Sequence, residues 1–227
     1  MNGNTQHRRT AFIVGLSVLV VIGGLLLGAG IARQQPAPPA AVTKPGPAVG
    51  AQQTPGAAAT GRASTPRDES PSPSALPSSP PVRVTIPALR VSSPLEKLGL
   101  NRQHAMTTPR DPAKAGWYAP GPTPGAKGPS VIAGHVTWNG TPAVFFKLSE
   151  LDVGDQVKVA RRDGRTAVFT VERVAVYAKD DFPTVEVYRN IDGAGLRLIT
   201  CGGTYSKKDH HYADNVVVYA SLSSSYR

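Results

Sequence analysis

A single cysteine, Cys201, stands among the 227 residues. A lone thiol has no partner in its own chain, so an intramolecular disulfide is excluded. Cys201 ends the run Leu196-Arg197-Leu198-Ile199-Thr200 and precedes Gly202-Gly203. It reads as a small buried hydrophobe or as a reactive thiolate. Aromatic residues make up only 6% of the chain, and none interleaves with the short basic pairs Arg161-Arg162 and Lys207-Lys208. A base-stacking surface therefore has no support, and nucleic acid is not an expected partner. One cysteine and scattered histidines lack the ligand spacing of a metal site, so neither metal nor cofactor is expected. Long helical periodicity and internal repeats are also missing.

What is present begins with an uncharged stretch of 22 residues, Ala11 to Ala32, rich in Val, Leu, Ile, Gly and Ala. As a helix at about 1.5 Å per residue it spans a hydrocarbon core. Arg8 and Arg9 precede it and only Arg33 follows closely, so residues 1–10 are expected in the cytoplasm and 11–32 as a signal anchor. The competing reading is a cleaved signal peptide with Gly30-Ile31-Ala32 at the cleavage site, although the apolar region is long for one. Either way the remainder is expected outside the cell. Residues 33–81 follow as a linker, with twelve prolines between Gln34 and Pro81 and almost no large apolar side chains. Such a segment cannot bury enough surface to offset its ordering entropy.

Residues 82–227 are expected to form one domain with a real core. They hold 19 Lys and Arg against 13 Asp and Glu, a net +6 of the chain's +10. A mildly basic exported domain suits an anionic cell envelope. Period-2 alternation marks strands at Val82–Ile86, Ser130–Ala133, Gln156–Ala160, Thr166–Tyr177, Leu196–Thr200 and Asn215–Leu222. Phe145–Leu151 and Thr184–Arg189 are candidate short helices, the second with Pro183 near its start. Many short strands between Gly and Pro turns read as an all-β sandwich or closed barrel.

Two residues carry candidate chemistry. His135 ends the apolar run Val131-Ile132-Ala133-Gly134, and Cys201 ends another. Neighbouring strand ends in a small barrel bring such residues to one rim. A histidine beside a cysteine favours the thiolate–imidazolium pair, a nucleophile with a general acid. Taken alone, the pattern does not choose between that pair and an inert thiol.

Ala133-Gly134-His135 together with Leu198-Ile199-Thr200-Cys201 resembles the signature of the sortase family. Further agreement runs through Val84-Thr85-Ile86-Pro87, Gly116-Trp117-Tyr118, Pro142-Ala143-Val144-Phe145-Phe146, Phe182-Pro183-Thr184, Cys201-Gly202-Gly203 and Asp214-Asn215-Val216-Val217-Val218-Tyr219-Ala220. The set is similar to class F sortases of high-GC Gram-positive bacteria, and the anchor and Pro-rich linker match as well. The resemblance implies a closed sortase-type β-barrel of about eight strands with short helices. It also implies a cysteine transpeptidase: Cys201 attacks the threonine carbonyl of a Leu-Pro-x-Thr-Gly-like sorting signal, and His135 protonates the departing amine. The implied partners are sorting-signal-bearing secreted proteins and a peptidoglycan precursor or other amine. An L,D-transpeptidase, the other Cys/His cell-wall enzyme weighed, would bring a Ser-x-Gly-Cys context absent here.

The family's third residue, an arginine on the strand after the Cys loop, is missing. It is expected just before Asp214-Asn215, where the chain reads His210-His211-Tyr212-Ala213. His211, His210 or Lys208 are the cations near enough in sequence to replace it, without the planar fork of guanidinium. The gap leaves a second reading open, a sortase-like barrel that binds peptides with little or no turnover. Thr200 reads as peptide contact or support of the Cys loop, its side chain directed away from Cys201 if the strand is regular. Trp138 is a candidate for shaping the pocket, Trp117 and Tyr118 for core packing, and Asp180-Asp181 for a solvated turn.

Overall fold

The computed structural model of the protein describes residues 37–39 and 73–227. The expected membrane span at 11–32 and most of the linker lie outside them. Among the described residues no helix is long and apolar enough to cross a membrane.

Eight strands close a barrel: β1 (Pro81–Ile86), β2 (Val91–Leu98), β3 (Ala115–Tyr118), β4 (Gly128–Ala133), β5 (Gln156–Arg161), β6 (Thr166–Ala178), β7 (Ala194–Ser206) and β8 (His211–Tyr226). Their order around the barrel is β1-β2-β3-β4-β7-β8-β6-β5, with β5 pairing back onto β1. Two neighbouring pairs, β2 with β3 and β4 with β7, are parallel. Alternation does the sorting expected of it. Val157 and Val159 are buried while the alternating Gln156 and Lys158 are not. Val84, Ile86, Ile132, Phe145, Phe169, Leu196, Leu198 and Val218 fill the interior. Each contributes about 1.5–3 kcal/mol by leaving water.

All six strands foreseen in the sequence are present, with β7 and β8 running well past their apolar runs. β2 and β3 were not foreseen. β2 contains Pro94, which cannot donate to a ladder. Yet Pro94 sits where β2 changes partners, since Val91–Pro94 pair with β1 and Leu95–Leu98 with β3. There the buried Ser93 hydroxyl bridges the change, accepting from the Ala115 N–H (2.8 Å) and donating to the Pro94 carbonyl (2.8 Å). Of the two candidate helices, Phe145–Leu151 gives one 3₁₀ turn at Leu148–Glu150, and the second is α1 (Thr184–Tyr188), with Pro183 at its N-cap.

The barrel also has an outer apolar layer. Val131, Ile199, Val217 and Tyr219 face outward from β4, β7 and β8, covered by Val187 of α1 and by Phe182. β4 is buried at all six positions because it is covered on both faces. α1 is further held by the ion pair of its Glu186 with Arg173 of β6.

The folded unit starts before Val82, the boundary expected from composition. Leu76 donates its N–H to the Gly125 carbonyl (2.7 Å) and packs on the core, and Ser79 is buried. The anchor for this segment is Arg161, whose guanidinium donates to the carbonyls of Pro124 and Pro77 (2.5 Å each) and pairs with Asp163 (2.8 Å). A buried cation is tolerated because every side of the fork is used. In the loop after β4, Asn139 (φ 47°) and Gly140 (φ 79°) take the left-handed backbone of an Asn-Gly turn.

Replacing Arg161 with Met strands the buried Pro124 carbonyl and unties the Pro77 carbonyl. A loss of about 2–4 kcal/mol is expected. Thermal melting of the full-length chain should show a Tm lower by roughly 5–15 °C.

The alkaline limb of stability is also set by burial. Burial first, and then the hydrogen bond with Tyr177, holds the Tyr219 phenol well above its ordinary value. Burial likewise raises Tyr212, against the opposing effect of its bond with Thr137. Groups whose folded pKa is raised contribute stability that is complete below the unfolded value near 10 and is lost above it. Urea midpoints are therefore expected to fall as pH rises from about 10, less steeply in a Tyr212→Phe/Tyr219→Phe variant.

Candidate functional site

The site follows from the parallel ladder between β4 and β7. Its register runs from Gly128 opposite Ala194 to Ala133 opposite Ile199. It continues one step further, because the Gly134 N–H donates to the Ile199 carbonyl (3.1 Å) and the Thr200 hydroxyl donates to the Gly134 carbonyl (2.8 Å). The next residues are His135 and Cys201. Neighbouring parallel strands lie about 4.8 Å apart, and register-matched side chains leave the sheet on the same face. Ile132, Leu198 and Val218 face the interior, whereas Val131, Ile199 and Val217 face outward. By alternation His135 and Cys201 are on the outward face, and both are partly exposed.

Small residues permit this arrangement. A Cβ on Gly134 would lie 2.6 Å from the Phe145 ring and 2.8 Å from Val144, so only glycine lets the loop after His135 fold back over the strand end. Thr200 points to the other face, as a regular strand requires, and its buried hydroxyl ties the two strand ends together. Beyond Cys201 the β7–β8 ladder slips. Asp214 pairs with Gly202 and Tyr212 with Tyr205, so Ala213 alone faces Gly203 and Thr204. Gly203 supplies the bulge with φ 74°, and Asp214 fills the space its side chain would need.

His135 is oriented by a loop. Its Nε2 lies 2.8 Å from the Pro109 carbonyl. A carbonyl only accepts, so Nε2 carries the proton and Nδ1 is the ring's remaining acceptor. Glu96 holds the Pro109 loop by accepting the N–H groups of Arg110 (2.9 Å) and Asp111 (3.1 Å). Trp138 packs edge-on against the His135 ring, with centroids 5.0 Å apart, and is itself 46% exposed. Two residues that the pattern did not single out complete the frame. Thr137 and the buried Tyr212 share a 2.8 Å hydrogen bond, which fastens the His135 loop to β8. Nothing in the sequence marks that pair, because 75 residues separate them.

The expected replacements for arginine are not gathered here. His211 is exposed, lies opposite Ser206 five residues beyond Cys201, and contacts the Asp209 carbonyl through Nδ1 (3.2 Å). Lys207, Lys208 and His210 belong to the turn between β7 and β8. Beside Cys201 on β8 stands Asn215, its direct register partner. Trp117 packs in the core and donates from Nε1 to the Pro122 carbonyl (3.3 Å). Asp180 and Asp181 lie in a 3₁₀ turn, and no cluster of metal-binding side chains occurs among the described residues. The outer face also carries Arg197, buried beneath the Tyr219 ring (4.5 Å to its centroid), with burial lowering its pKa.

The barrel thus sets His135 and Cys201 side by side where the β4–β7 ladder ends. A search of curated proteins found no match. Among solved structures, sortase C1 of Streptococcus agalactiae is 19% identical with a TM-score of 0.48, covering 62% of this chain and 65% of that one. Sortase A of Listeria monocytogenes is 20% identical with a TM-score of 0.48, over 66% and 90% respectively. Sortase C-1 of Actinomyces oris is 22% identical with a TM-score of 0.49, over 62% and 72%. The chain thus spans just under two thirds of the Streptococcus protein's length. A family model described as a sortase domain matches residues 84–223. The chain belongs to the sortase family.

Proposed function

We propose that this chain is a sortase-type cysteine transpeptidase, class F-like and anchored in the membrane of a high-GC Gram-positive bacterium. The observation that carries the reading is that His135 and Cys201 follow side by side where the parallel β4–β7 ladder ends, on one partly exposed face. In this reading the Cys201 thiolate attacks the threonine carbonyl of a Leu-Pro-x-Thr-Gly-like signal. A C–S bond forms, and the carbonyl pair moves onto oxygen. The thiol proton goes to His135 Nδ1 as the thiolate forms. Collapse of the oxyanion then breaks the C–N bond, and the imidazolium passes that Nδ1 proton to the departing amine. An amine on a cell-wall precursor then attacks the thioester, restoring the thiol and joining the secreted protein to the wall. Pro109 fixes which imidazole nitrogen is protonated, and Trp138 shields one edge of the ring. The span expected at 11–32 would hold the barrel to the outer face of the membrane, with the linker as tether.

A second reading is favoured by one observation. Ala213, where the family's arginine is expected, has no side-chain donor. Without a donor for the oxyanion the barrel would bind sorting peptides without turning them over.

Incubating the full-length chain with a Leu-Pro-Ala-Thr-Gly peptide and weighing the intact protein separates the two. Acyl-enzyme of the Leu-Pro-Ala-Thr mass on Cys201 is expected, absent in Cys201→Ala and slowed about 10²–10⁴-fold in His135→Ala. Peptide binding without any adduct would establish the non-catalytic barrel instead.

A further inference from the structure

We propose that the side-chain amide of Asn215 is the oxyanion donor of this enzyme, in the role the family gives to arginine. The inference rests on the acyl-transfer reading above and deepens it. Three neighbouring strands present one row of side chains on the outward face. His135 lies two residues past the end of β4, Cys201 stands beside it on β7, and Asn215 comes next on β8 as the register partner of Cys201. The face is fixed on β8 as on the other strands. Val217 and Tyr219, two and four residues on from Asn215, pack in the outer layer, while Val218 and Ala220 face the core.

Directly opposed residues of an antiparallel pair have Cβ atoms about 4.5–5.5 Å apart. From there an asparagine amide reaches the space above its neighbour's sulfur, where the oxygen of a tetrahedral adduct develops. Asn215 is partly exposed, and its amide makes no hydrogen bond with any described residue. An amide offers two N–H donors without a charge that must be desolvated. Proton donor and oxyanion donor then flank the nucleophile from opposite sides, so leaving-group protonation and oxyanion binding do not compete for one space.

The cations of the region are placed otherwise. His211 lies opposite Ser206, Lys207 and Lys208 are in the turn, and Ala213 ends at its Cβ. Arg110 adjoins Pro109, the acceptor of His135, and so belongs to the His135 flank. Asn215 is the polar group on β8 that the register sets directly beside the thiol.

The test uses the full-length chain and two probes of Cys201. The p-nitrophenyl ester of N-acetylthreonine acylates the thiol through a tetrahedral oxyanion, and its leaving group departs without a proton from His135. Iodoacetamide alkylates the same thiol by displacement, with no oxyanion. Asn215→Ala is expected to slow acylation about 10²-fold and to leave alkylation within about twofold of wild type. Asn215→Asp, with a carboxylate facing the oxyanion, should be at least as slow with the ester. Acylation at the wild-type rate in Asn215→Ala overturns the proposal. So does equal slowing of both probes, which makes Asn215 a support for the thiol's surroundings, or a matching loss in Arg110→Ala with Asn215→Ala unaffected. Because the ester carries no sorting signal, a wild-type protein that takes the ester and ignores the peptide refutes the sorting reading alone. If wild type takes neither, both readings fall together.

Discussion

The parallel ladder between β4 and β7 is the constraint on which the rest depends. Cys201 and His135 come from segments 66 residues apart, and nothing local brings them together. What does so is a register held by six paired residues and extended by the Gly134 N–H and the Thr200 hydroxyl. Since side chains alternate with period two, a slip of one residue would turn one of the pair into the core. The register is held firmly because inner and outer faces of β4 and β7 are both buried, Ile132 and Leu198 on one side, Val131 and Ile199 on the other. A slipped strand would have to exchange two packed layers at once. The placement of His135 beside Cys201 is thereby backed by core packing rather than by the loops alone.

Glycines near the site serve this ladder in different ways. Gly134 removes a side chain so that Phe145 can close over the strand end, bringing the His135 loop under the control of the core. Gly203 supplies a left-handed backbone for the bulge beyond Cys201. The first is a demand for space, the second for conformation. Polar groups then fix what packing leaves loose. Glu96 sets the Pro109 loop, Pro109 sets the His135 ring, and Tyr212 ties Thr137 to β8.

Much of this was legible in the sequence. Strand positions followed from alternation, which left sandwich and barrel open; the resemblance to sortases is what pointed to the closed barrel and to Cys201 with His135. β2 was hidden because Pro94 argues against a strand, and only the change of partners at that residue makes it acceptable. The start of the folded unit was hidden because Leu76 is one apolar residue among prolines. Its anchor, Arg161, reads as half of a basic surface pair until the carbonyls of Pro77 and Pro124 are seen around it. His211 drew notice as a cation near the expected arginine, but the hairpin carries it opposite Ser206.

Asn215 was illegible for a sharper reason. From the turn, His211 pairs with Ser206 and Tyr212 with Tyr205, and carrying that count onward would set Cys201 opposite Val216. The bulge at Gly203 shifts the count by one, so the partner becomes Asn215 and Val216 turns inward, where its methyl group lies 2.7 Å from the place of a Gly202 Cβ. One left-handed glycine therefore decides whether the neighbour of Cys201 is an apolar side chain or an amide. The same bulge leaves Ala213 unpaired and exposed, where an arginine would project beside the site rather than pair across from the thiol. With this bulge and without that arginine, the polar side chain directly opposite Cys201 is the Asn215 amide. An amide there gives up the long reach and fixed charge of guanidinium. In the proposed role it gains a short tether of two side-chain torsions, so less rotamer freedom would be lost on meeting a transition-state oxygen.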